Sequence, residues 1–173
     1  MNKPIIFLAC CILVAATSFA QNTFELGAEY MKVIGKGYSS SKAALRGESF
    51  SNKNSFSAGI IYHLPSKKAY SVSSGFGIYA GYRYAFSSST GGSPFAGARI
   101  LFSLENFDGK TRENSILITP MAELGYHFIF GKRIFAAPSA GFGYTIEFSR
   151  GYNSLDEDRG GRLIPSLAAG YRF

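Results

Sequence analysis

Ser139, His127 and Glu123 are the side chains that could supply a nucleophile, a base and an orienting carboxylate, the set that acyl-transfer hydrolysis requires. They come together only if the chain folds back sharply between them, and Gly131-Lys132-Arg133 is a tight-turn sequence in the right place. With Phe130 facing Ile134 across a three-residue loop, Gly125 stands opposite Ser139, Glu123 opposite Gly141 and His127 opposite Ala137. Ser139 and His127 are then diagonal neighbours, with backbones about 7–8 Å apart. No Gly-x-Ser-x-Gly elbow surrounds the serine. Two readings follow: a hydrolase, or a serine and a histidine held inside a structural wall, and the missing elbow favours the wall.

The other candidates for chemistry are sparse. His63 is the second histidine, and neither it nor His127 has a companion at metal-ligand spacing, so both read as hydrogen-bonded structural residues. Cys10 and Cys11 fall in an N-terminal apolar run, and no cofactor motif is present. Asp156-Glu157-Asp158 matches no calcium loop. It reads as a solvated acidic loop half neutralised by Arg159 and Arg162, or as a contact for a cation or partner protein. The net charge of +7 comes from 18 basic and 11 acidic residues. The basic residues are scattered instead of forming a patch with interleaved aromatics, which argues against nucleic acid and for anionic lipid head groups.

These residues are carried by segments that alternate with period two. Phe24, Leu26, Ala28 and Tyr30 share one face of a first strand, leaving Glu25, Gly27 and Glu29 on the other. Phe56 to Leu64, Phe76 to Phe86, Ala96 to Leu104, Ile116 to Phe130 and Ala136 to Phe148 repeat the pattern. A last strand runs back from Phe173 through Tyr171, Ala169, Leu167, Pro165 and Leu163. These make seven clear strands. A closed barrel with both ends on one side needs an even number, so an eighth is expected between Gly35 and Asn54, at about Lys42 to Phe50, with Arg46 and Glu48 on one face and a turn at Ser51 to Asn54.

The apolar face carries long runs without a charge, whereas the opposite face is rich in Gly, which suits a narrow interior. The apolar face is therefore expected outward. The interior then collects Glu25, Glu29, Glu123 and Glu147 with Arg83, Arg99 and Arg172, joined by Arg46 and Glu48 on the weak strand and by His63 and His127. Charges of nearly balanced sign, withdrawn from bulk water, point to a salt-bridged plug, with a solvated pore as the alternative. Residues 1 to 20 read as a secretory signal: Lys3, an apolar run from Ile5 to Ala16, and Ser18-Phe19-Ala20 before the expected cleavage. Residues 21 to 173 form one domain. The apolar run is too short to span a bilayer, and no later segment has the length of a transmembrane helix.

The alternating strands, the short Gly131-Lys132-Arg133 turn and the closing Gly170-Tyr171-Arg172-Phe173 resemble the small eight-stranded bacterial outer-membrane β-barrel proteins, the OmpA/OmpX-like class, over residues 21 to 173. The resemblance implies an all-β, closed, antiparallel up-and-down transmembrane barrel in the cell outer membrane. It implies outer-membrane lipid as surroundings and the barrel assembly machinery as a partner that reads Tyr171 and Phe173 at the end of the last strand. Short turns lie on the periplasmic side in such barrels, which puts residues 87 to 93 there and makes 105 to 114 and 149 to 161 extracellular. No peptidoglycan-binding domain is expected after the barrel, so the cell-wall anchoring of longer relatives is not implied. The expected function is non-enzymatic: a structural barrel, or one that binds a ligand through its external loops. A narrow, porin-like channel for small solutes is the second reading, and an envelope lipid hydrolase built on Ser139 and His127 the third.

Overall fold

A computed structural model describes residues 23–36, 38–65, 72–87, 91–107, 114–149 and 160–173. The segment expected as a signal lies outside them, as do most of the expected external loops. Eight antiparallel strands follow one another around a closed barrel: β1 (Thr23–Gly35), β2 (Tyr38–Ser51), β3 (Asn54–Leu64), β4 (Val72–Ala85), β5 (Gly92–Phe107), β6 (Asn114–Phe130), β7 (Ile134–Ser149) and β8 (Gly160–Arg172). Each pairs with its chain neighbours, and β8 closes on β1 through pairs such as Gly27 with Gly170 and Tyr30 with Leu167. Both described chain ends, Thr23 and Phe173, therefore lie at one end of the barrel, here called the terminal end.

The weak eighth strand exists and is longer than expected. It starts at Tyr38 and stays in register with β1 along its whole length, down to Thr23 opposite Phe50. Its sequence hides it because its outward face is mostly small, with Ala43, Gly47 and Ser49 beside Leu45. A small face suffices where a neighbour covers it: a Cβ on Gly47 would lie 3.2 Å from the Phe24 ring. The connection to β3 is the two-residue turn Asn52-Lys53, with Asn52 at φ 56°, a left-handed conformation that asparagine tolerates better than most residues.

The turn at Gly131-Lys132-Arg133 has the expected form. Phe130 pairs with Ile134, Gly125 with Ser139 and Glu123 with Gly141. Gly131 at φ 57° and Lys132 at φ 70° supply the left-handed backbone that closes a three-residue loop. Since a slip of one residue would exchange the two faces of every strand, this turn and the hydrophobic alternation must agree, and they do.

Burial separates the faces as the alternation requires. Leu26, Phe56, Ile78, Leu104, Leu124 and Phe142 point outward and are exposed, while Met31, Ile61, Tyr79, Leu101 and Phe135 are buried inside. The interior is narrow enough that several of its positions admit only glycine. A Cβ on Gly59 would press on the Tyr79 ring and lie 2.8 Å from the Leu45 carbonyl.

Two boundaries differ from the sequence expectation. The segment 105 to 114 was expected as a loop from its start, yet β5 continues through Glu105 to Phe107. Likewise β8 begins at Gly160, so Arg162 is a strand residue buried inside the barrel, while the acidic run at 156–158 lies outside the described residues. At strand ends polar residues look like loop residues; only the closed wall around them shows that they face inward.

Candidate functional site

The functional chemistry of the described chain is concentrated inside the barrel. Six glutamates (Glu25, Glu29, Glu48, Glu105, Glu123, Glu147) and five cations (Lys42, Arg46, Arg83, Arg99, Arg162) are buried there, with Arg172 at the mouth. The remaining acidic residues of the chain, at positions 108, 113 and 156–158, lie outside the described residues. Every described acidic side chain is thus an interior one.

The middle of the barrel is a network drawn from six strands. Arg99 of β5 donates from Nη1 to Glu29 Oε1 of β1 at 2.6 Å and from Nε to Glu123 Oε1 of β6 at 2.9 Å. Its Nη2 lies 2.8 Å from Glu123 Oε2. Arg83 of β4 donates from Nε to the same Glu123 Oε1 at 2.7 Å and reaches toward Glu48 of β2, which pairs with Arg46 on its own strand. Tyr79 donates its hydroxyl to Glu29 at 2.8 Å, and Ser55 donates to Glu48 at 2.6 Å. Rings cap the guanidinium groups, Phe95 under Arg83 at 4.2 Å and Tyr79 under Arg99 at 5.2 Å. Isolated charges in such a place would cost several kcal/mol each, so they persist only because each is met by an opposite one.

Two smaller clusters flank this network. At the terminal end, Glu25 of β1 accepts from Arg172 of β8 through Nε, with Nη2 also 2.7 Å from its Oε1, and lies 3.1 Å from His127 Nε2 of β6. Phe50 stacks on His127 at 5.4 Å and Arg172 sits over Phe50 at 5.2 Å. At the opposite end, Lys42 of β2 donates to Glu105 of β5 at 3.0 Å, and His63 of β3 lies 3.4 Å from the same carboxylate. Glu147 of β7 accepts from Ser115 at 2.7 Å.

The hydrolase constellation does not assemble. Ser139 shares a hydrogen bond with the Ser166 hydroxyl at 2.7 Å and donates to Glu123 at 3.3 Å, while His127 is turned to Glu25. The diagonal placement from the turn register is present, but the rotamers serve two different clusters. Among the described residues no three acidic, histidine or cysteine side chains are grouped as a metal would need.

The sequence reading placed Glu25, Glu29, Arg83, Arg99, Glu123, Glu147, Arg172, His63 and His127 on the inner face, and the structure has them there. It missed Lys42, Glu105 and Tyr79 as members of these clusters and Arg162 as an interior cation. The usable signal was register: each lies an even number of residues from an interior residue of its own strand, Glu105 from Arg99 and Arg162 from Arg172.

No protein-family model and no curated protein matches the sequence. Solved structures do. The crystal structure of Neisserial surface protein A aligns with a TM-score of 0.61 at 16% identity, over 88% of this chain and 96% of that one. The N-terminal β-barrel domain of OprF from Pseudomonas aeruginosa aligns with a TM-score of 0.62 at 13% identity, over 88% of this chain and 98% of that one. At such identities the likeness is one of fold, and it spans nearly the whole of each neighbour. This chain has the closed, eight-stranded antiparallel architecture of the small outer-membrane barrels.

Proposed function

We propose that the protein is a non-enzymatic integral barrel of the outer membrane, exported by a signal within residues 1 to 20, that supports the envelope and offers its external connections to partners. The observation that carries this reading is the inversion of ordinary burial. Large apolar side chains cover the outside, Phe56, Ile60, Phe76 and Leu124 each being more than 60% exposed, while the charges are sealed inside. Water would not tolerate that surface, whereas hydrocarbon requires it, and a closed barrel leaves no strand edge to satisfy. The strands have 11 to 17 residues, more than the roughly 9–11 needed to cross a bilayer, so they extend beyond it.

The interior favours a structural role over passage of solutes. A conducting lumen needs continuous water and a prevailing sign, but here glutamates and cations interlock from wall to wall. Binding would then fall to the external connections, including the acidic run Asp156-Glu157-Asp158. Tyr171 and Phe173 at the end of β8 are the residues the assembly machinery would read.

The test is to extract the protein from outer membranes and compare unheated with boiled samples on gels, then to place the folded form in planar bilayers. A compact unheated band and a silent bilayer are expected. Stepwise conductance would transfer the proposal to small-solute passage, and recovery as a soluble protein would end the membrane reading altogether.

A further inference from the structure

At the terminal end the exposed charged side chains of the described turns are all cations: Lys53 in the β2–β3 turn, Lys132 and Arg133 in the β6–β7 turn. Among the described residues the acidic side chains on this side are buried: Glu25, 1% exposed and bonded to Arg172 and His127, and Glu48, 1% exposed in a small pocket that Lys53 also lines. Lys132, Arg133 and Arg172 line an open notch of about 590 Å³ together with Thr23, Tyr171 and Phe173. Arg172 is fixed there through its side chain by Glu25, and its backbone N–H donates to the Arg133 carbonyl at 2.7 Å, tying the turn to β8.

The outer wall beside this notch is an apolar ledge. Phe130, Ile134 and Tyr171 stand side by side on adjacent strands, all exposed, and Tyr171 packs edge-on against Phe173 at 4.9 Å. The site is amphipathic in a definite direction: cations at the rim, aromatic and aliphatic surface running down the wall.

We propose that this notch seats the phosphodiester head group of an anionic phospholipid, with its acyl chains along the Phe130–Ile134–Tyr171 ledge. The inference rests on the membrane reading above and adds a specific lipid class and place to it. A free phosphate would use the cations and ignore the ledge, and an acidic protein segment would gain nothing from apolar surface that lies against the wall. Only a lipid uses both halves.

The experiment is native mass spectrometry of the folded full-length barrel released from detergent micelles doped with phosphatidylglycerol or with phosphatidylcholine. The wild type is compared with the double variant Lys132→Gln, Arg133→Gln, whose side chains are exposed on a turn, and folding of both is checked by heat-modifiability. One retained phosphatidylglycerol per barrel is expected, preferred over phosphatidylcholine, with the preference falling about fivefold for each cation removed. Excess inorganic phosphate should not displace it. Equal retention of the two lipids, undiminished preference in the variant, or displacement by phosphate would overturn the lipid site while leaving the barrel reading intact. A protein that fails to fold in detergent and is recovered soluble would overturn both.

Discussion

From β2 round to β6 the hydrogen-bonded ladders run almost without a lapse, broken only by a register shift between Val72 and Ser74 near a strand end. From β6 round to β1 they lapse three times. Thr119-Pro120 and Tyr126-His127 lose their partners on β7, and Lys32-Val33 lose theirs on β8. Each lapse contains a proline: Pro120, Pro138 opposite Tyr126, and Pro165 opposite Lys32. Proline has no N–H to donate, and a closed barrel has no edge strand where that would be harmless. At the first lapse the Thr119 and Thr145 hydroxyls bond to each other at 2.9 Å across the missing pair. Near the second, Ser139 bonds to Ser166 across the unbroken β7–β8 ladder and His127 reaches Glu25 on β1, so neither spans the gap. The continuous half has Ser57 in a similar interior position with no hydrogen-bond partner among the described residues. Side-chain bonding does not follow the lapses as a whole, since the continuous half carries Arg83, Arg99, Glu48 and the Lys42–Glu105 pair; at the Thr119 lapse alone a hydroxyl pair spans the missing ladder.

The contrast can be tested from its strongest point to its weakest, with urea unfolding of the barrel in lipid vesicles as the readout for the first four cases. Glu123→Ala strips Arg83 and Arg99 of a shared partner in the buried middle and should cost about 3–5 kcal/mol. Glu25→Ala at the mouth should cost less, about 1–3 kcal/mol, because the Arg172 side chain is 20% exposed and water can take over part of the carboxylate's role. A cost equal to that of Glu123→Ala would mean that the mouth is as dry as the middle. Thr145→Val, in the interrupted half, should cost about 1 kcal/mol for the lost hydroxyl bond. Ser57→Ala, in the continuous half, should cost under about 0.5 kcal/mol, and equal losses at the two sites would remove the distinction. The smallest effect is expected for Pro120→Ala. The restored N–H is offset by the freer unfolded chain, so the two nearly cancel in stability while amide exchange of Thr119 and Met121 slows. Unchanged exchange would show that the lapse has a cause other than the imino acid.

Much of the fold was legible because the rule that makes a strand visible, strict alternation, is also the rule that a two-faced wall must obey. The turn at 131–133 could be placed to the residue, since glycine at a left-handed position and the phase of the flanking apolar residues gave the same register. β2 was faint because its outward positions are mostly small, Ala43, Gly47 and Ser49 beside Leu45, so the large apolar residues that mark the other strands are missing from it. The interior network was legible only as a set. Which acid meets which base depends on rotamers reaching across the lumen between residues as far apart as Glu29 and Arg99, and nothing local encodes that choice. Ser139 and His127 show the same limit, being adjacent by register and yet committed to different partners.

The cross-lumen pairs also constrain the order in which the molecule can be built. Glu29 on the first strand is answered by Arg99 on the fifth, and Glu25 by Arg172 on the last. A half-made barrel would carry those carboxylates into hydrocarbon with no counter-ion, a penalty that is cancelled for Glu29 when the fifth strand arrives and for Glu25 when the last does. Partially inserted forms are therefore the costly ones, and the charges that look like ballast in the finished protein act as a check on incomplete assembly.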